Sequence, residues 1–243
     1  MNNRRSRCER ARRAAAWLAL VFAPTVAAEP ADWFPAPPDL PRYQWQPAAC
    51  GNCVALDAPS TWKRMAELAG VPGAHFVVAL TDVEQAVSLA PDIVVIAPAL
   101  FKLGVCQQAF VIGHELAHLA RRHFDAEAVA VLTQSGRPPH WTASGNAALQ
   151  LLDGDYRLVM QLSRVWQAQE HEADRLGSLL AAQAGGCELV AGALAFLGAE
   201  ADNEAGLYLT HASARQRIAE LLPFAERVRA LVAQRAPDRL TTR

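Results

Sequence analysis

Apolar residues recur three and four positions apart along most of this chain, and that period predicts a mainly helical protein. In residues 106–124, CQQAFVIGHELAHLARRHF, they keep helical spacing with no proline to interrupt it. A longer helical pattern runs from about Tyr156 to Ala184 and stops at Gly185-Gly186. Ser60 is placed to cap a helix reaching Gly70, and two further helices are expected near residues 187–198 and 213–234. The runs HFVVAL and DIVVIA are short and rich in β-branched residues, which predicts strands. TQSGRPPHWTASGN reads as a loop between helices. The expected class is therefore α+β: a mostly helical domain with a small β-sheet beside the helix of residues 106–124.

Chemistry enters with His114, Glu115 and His118, in the string HELAH. On a helix, residues four apart lie one above the other, so two imidazoles can face a single metal ion. This is the HExxH pattern of a zinc hydrolase, in which the glutamate stands beside the open metal position as general base for a water. The bland alternative is a surface helix with two solvated histidines.

Such a site needs a third protein ligand. A metzincin takes a histidine ten residues after the first, but that position is Phe124, and Arg121 stands where its glycine is expected. His123 is one residue short. A gluzincin takes a glutamate from a second helix, and QEHEADRLG supplies Glu170 and Asp174 on one helical face. Glu170 is the expected third ligand. Asp174 is expected to orient a ligand histidine by accepting its free N–H. Glu172 competes with Glu170 but faces another direction, and His171 is expected to be solvated or to stand behind the ligands.

HELAHLARRH, then EHEADRLG, then THASARQRI together resemble the M48 family of metallopeptidases, over about Thr61 to Leu222. The resemblance implies a zincin-like fold and one Zn²⁺ per chain, held by His114, His118 and Glu170. It also implies endopeptidase activity on polypeptides, with a catalytic water activated by Glu115. The family's Thr-His-Pro segment matches Thr210 to Ala212. That implies a role for His211 at the developing oxyanion or as a cap on the zinc, with Arg217 as a further cationic helper. Ala212 departs from the family's proline. Upstream, Gln85 stands where the family often has asparagine, and Ala90-Pro91-Asp92 replaces its Pro-Gly-Gly turn. A substrate would lie extended along the edge strand near residues 86–89.

Arg4, Arg5, Arg7, Arg10, Arg12 and Arg13 precede an apolar run broken by Pro24, with small residues Val26 and Ala28 before Glu29. Residues 1–28 read as a secretory signal peptide, with an uncleaved membrane anchor as the alternative. The expected location is the periplasm. Removing them takes the net charge from −1 to −6, which disfavours nucleic acid as a partner. Envelope-assembly or peripheral membrane proteins are the partners to expect besides substrates. Residues 29–58 form a Pro- and Trp-rich lead ending in a CxxC, residues 59–235 the peptidase-like domain, and residues 236–243 a frayed end. Cys50, Cys53, Cys106 and Cys187 remain after cleavage and allow three pairings. Cys50–Cys53 with Cys106–Cys187 is favoured, because the second would tie the start of the HExxH helix to the end of the Glu170 helix. Two other readings stay open: a latent, chaperone-like zinc module that rarely cuts, and a purely structural zinc domain. A structural site has no use for Glu115.

Overall fold

The structure, a computed structural model, describes residues 39–46, 52–79, 85–201 and 212–235. Its class is α+β. Four strands form one mixed sheet in the order β1, β2, β4, β3: β1 Cys53–Ala55, β2 His75–Ala79, β3 Ala86–Leu89 and β4 Ile93–Ile96. β2 runs parallel to β4, while β1 and β3 are antiparallel to their neighbours. β4 is central and its Val94, Val95 and Ile96 are buried, as a covered strand of β-branched residues should be. β3 lies at the edge, with Ser88 opposite Val94 and Ala86 opposite Ile96.

The helices are α1 Ser60–Leu68, α2 Val105–Ala120, α3 His123–Gln134, α4 Gly145–Leu149, α5 Tyr156–Gly185, α6 Ala191–Ala201 and α7 Ala214–Arg235. Ser60 is the first residue of α1 rather than its cap; Pro59 holds the capping position, with no side-chain bond there. α2 opens where the Gln107 side chain accepts from the Gly104 N–H at 3.0 Å. α5 is capped by Asp155, which accepts from Leu158 N at 3.0 Å. It ends at Gly186, whose φ of 63° is the left-handed conformation that glycine adopts without cost. Ser213 and Gln216 bond reciprocally at the start of α7, at 3.2 and 3.0 Å.

A second expectation needs correction. The helix of residues 106–124 is not continuous. It stops at Ala120, Arg122 takes the left-handed conformation (φ 55°, ψ 41°), and α3 starts afresh at His123. The corner is held from outside. The Arg122 guanidinium donates to the carbonyls of Leu40 and Pro41 and to Asp125, and Asp125 in turn accepts from Tyr43 N and Trp45 Nε1. The lead segment is thus strapped across α3, and Gln44 pairs with Ser144 beyond it.

α2 runs through the middle of the protein, between the sheet and α5. Phe110, Ile112 and Leu116 of α2 share a core with Met65, Val94, Ile96, Leu180, Leu197 and Leu221. α2 and α5 approach very closely. A methyl group built on Gly113 would stand 2.8 Å from the Gly177 carbonyl oxygen, and one on Gly177 would stand 2.6 Å from His114 N. Cys106 and Cys187 are disulfide-bonded, with Cα atoms 5.7 Å apart, so the start of α2 is joined to the chain just beyond α5. This is one of the two favoured pairings; Cys50, needed for the other, lies outside the described residues.

Candidate metal centre

His114 and His118 are one turn apart on α2, and Glu170 faces them from α5. The glycine contact lies one residue before His114 on α2 and two turns beyond Glu170 on α5. His114 Nε2 and His118 Nε2 are 3.1 Å apart. Glu170 Oε2 is 3.5 Å from His114 Nε2, and its Oε1 is 3.4 Å from His118 Nε2. Tetrahedral coordination with bonds of about 2.0–2.1 Å separates ligand atoms by about 3.3 Å. The observed spacings lie near that value, each imidazole facing its own oxygen of Glu170, and two nitrogens plus a carboxylate are a donor set zinc accepts. The residues therefore fit a zinc ion with one coordination position left for another group.

Each histidine must present Nε2 and so carry its proton on Nδ1. Behind His114, Nδ1 lies 3.0 Å from Asp174 Oδ1. Asp174 is 1% exposed and is gripped by Arg217, whose Nε donates to Oδ2 at 2.8 Å and whose second amino group reaches Oδ1 at 2.5 Å. Burial by itself would raise the Asp174 pKa; the Arg217 guanidinium, with His114, outweighs it and holds the carboxyl below its ordinary range. Arg217 is raised in turn: burial opposes its charge, but Asp174 and then Glu170 secure it. Its remaining amino group stands 3.4 Å from Glu170.

Behind His118, the partner is another imidazole. His118 Nδ1 and His123 Nδ1 are 2.9 Å apart, and His123 Nε2 lies 3.2 Å from Glu172 Oε2. The other oxygen of Glu172 is 2.7 Å from Arg121 Nε. Burial pushes the His123 pKa down to about 4 despite Glu172, so the ring is neutral at pH 7 and keeps one nitrogen free to accept. Without metal, burial would lower the His118 pKa, but Glu170 beside it, helped by Glu115 and Glu127, holds it above the ordinary value.

Glu115 is buried against the sheet, and its Oε2 accepts from the Ser88 backbone N–H at 2.6 Å. The glutamate next to the metal ligands is thereby tied to the edge strand.

The structure thus brings together His114, Glu115, His118, Glu170, Asp174 and Arg217. It places Arg217 behind the ligands, on Asp174 and Glu170, where it orients them. The competing ligand Glu172 points to Arg121 and His123 instead. His211 lies outside the described residues. Two features had no reading in the sequence: the contact of His123 with His118, and the meeting of Gly113 with Gly177. Neither follows from the local spacing of residues, since each depends on where separate helices meet.

A family model described as Peptidase family M48 matches residues 57–224. No curated protein matches the chain, and neither does any solved structure.

Proposed function

The chain belongs to peptidase family M48, a family of zinc-dependent metallopeptidases, and on that premise we propose that it is an endopeptidase whose centre is His114, His118 and Glu170 with Glu115 as general base. Bound zinc supplies a Lewis acid that acidifies water and polarises a peptide carbonyl. The remaining work falls to side chains of this protein. Glu115 takes a proton from the attacking water at its carboxylate and passes it to the leaving amine. Asp174 keeps His114 in the Nδ1–H form, and Arg217 holds Asp174 and Glu170 in place. Resemblance to the family assigns His211 to the developing oxyanion.

The substrate lies extended along Ala86–Leu89 and adds a strand to the sheet, at an edge that ends on the general base. Its source is misfolded or unassembled exported protein. This rests on the family resemblance and on the signal-like sequence of residues 1–28, which also motivates the periplasm as the proposed location. Among the described residues, no helix is long and apolar enough to cross a membrane.

The observation that carries this reading is the convergence of three side chains from two helices, with the two Nε2 atoms 3.1 Å apart and a Glu170 oxygen within 3.5 Å of each. The test is cleavage of an unfolded protein such as reduced casein, with zinc content measured, for wild type and Glu115→Gln. Wild type should cut; the variant should hold one zinc and not cut. If both hold zinc and neither cuts, the latent-module reading takes over. If neither holds zinc, the assignment of ligands is wrong.

A further inference from the structure

His123 and Glu172 belong neither to the donor set nor to the general-base machinery, yet both are positioned with care. His123 is 3% exposed and lies edge-on to His118, with ring centroids 4.8 Å apart and planes at 83°. The protons in this cluster can be arranged in only one way if His118 is to offer Nε2 to a metal. His118 then carries Nδ1–H and donates it to His123 Nδ1 across 2.9 Å. His123 must accept there, so its own proton sits on Nε2 and goes to Glu172 Oε2 at 3.2 Å. Arg121 fixes the other oxygen of that carboxylate, and Gln169 donates to the His123 carbonyl at 3.3 Å. The two imidazole protons each have an acceptor, His123 Nδ1 for the first and Glu172 Oε2 for the second.

We propose that His123 and Glu172 are positioning residues for the metal centre: they hold His118 in the tautomer and orientation that present Nε2 to zinc. The inference rests on the proposed zinc site and extends it. The two ligand histidines are then supported unequally. His114 rests directly on the carboxylate of Asp174, whereas His118 rests on a neutral imidazole, with the carboxylate one ring farther away. The pair comes from two elements, the first residue of α3 and the middle of α5, so it also locks the corner after α2 onto the helix that carries Glu170.

The test is zinc affinity of the full chain by competition with a chromogenic chelator, beside the melting temperature of the metal-free protein. His123→Phe keeps a buried ring and removes both bonds. It should weaken zinc binding about 10- to 100-fold, the range found when an outer partner of a ligand histidine is lost, while the metal-free protein melts close to wild type. Glu172→Leu should weaken binding as well, and Glu172→Gln, whose amide oxygen still accepts from His123, should restore most of it. The Glu172 pair decides the matter even if His123→Phe does not fold. Wild-type affinity in His123→Phe or in Glu172→Leu overturns the proposal. So does a loss of affinity that only follows a loss of metal-free stability. A wild type that takes up no zinc at all overturns the metal centre itself, a result distinct from these.

Discussion

Gly113 of α2 and Gly177 of α5 meet backbone to backbone, and a side chain on either would collide with the other helix. Close packing of this kind admits no methyl group without displacement of one helix, and overpacking of a tight interior costs about 1–3 kcal/mol. The contact also sets how far Glu170 stands from His114 and His118. Gly177→Ala should therefore lower the urea midpoint and weaken zinc binding together. Chelator competition and urea unfolding on the same preparation check this; a variant with reduced stability but unchanged zinc affinity contradicts it.

Arg217 and Asp174 form the buried pair behind His114. Because the Asp174 carboxyl is held below its ordinary value of 3.8, it adds stability that is complete above that value and is lost as pH falls through the lower folded-state value. In metal-free protein, wild type should be more stable than Asp174→Asn near neutrality, and the gap should narrow below about pH 4. Urea midpoints measured from pH 7 downward decide it; a gap that does not change with pH contradicts the assignment.

Ser88 donates its backbone N–H to Glu115 and not to the strand beside it. Proline at an edge position removes a donor without breaking a ladder bond. Ser88→Pro should thus retain zinc and lose turnover by about tenfold or more, the scale of a displaced general base. Casein hydrolysis with zinc content as the control reads this directly. Full activity in the variant would mean that Glu115 does not depend on the edge strand for its position.

The Cys106–Cys187 bond closes a stretch with a sequence separation of 81 that contains all three donors. Loss of a bridge of this span costs about 2–5 kcal/mol. The double variant Cys106→Ser with Cys187→Ser should show that loss in urea unfolding under non-reducing conditions. Wild-type stability without loss in the double variant would mean that the bridge adds nothing.

The donors were legible because their spacing is local. HELAH and ExxxD each place side chains four apart, and a helix turns that spacing into one face whatever surrounds it. The disulfide followed from the same reasoning, since the zinc already draws α2 and α5 together. The glycine contact was not legible, because it depends on where two helices cross, 64 positions apart in the chain. The role of His123 was hidden by a different cause. Had α2 continued, residue 123 would lie well round the helix from residue 118. The left-handed turn at Arg122 brings it back, and nothing local in the sequence marks an arginine for that conformation. The partners of Glu172 were hidden for the same reason: His123 meets it only once that corner forms.

Arg122 lends the corner a distant anchor. Its guanidinium is held by carbonyls of Leu40 and Pro41, and its partner Asp125 is held by Tyr43 and Trp45. Residues far upstream of the peptidase motif therefore help determine where His123 stands, and through it how His118 meets a metal. A chain shortened to begin after Gln46 would keep every donor and still behave as though its outer support had been mutated. On the proposed reading, the part of the chain that governs metal holding begins well ahead of His114.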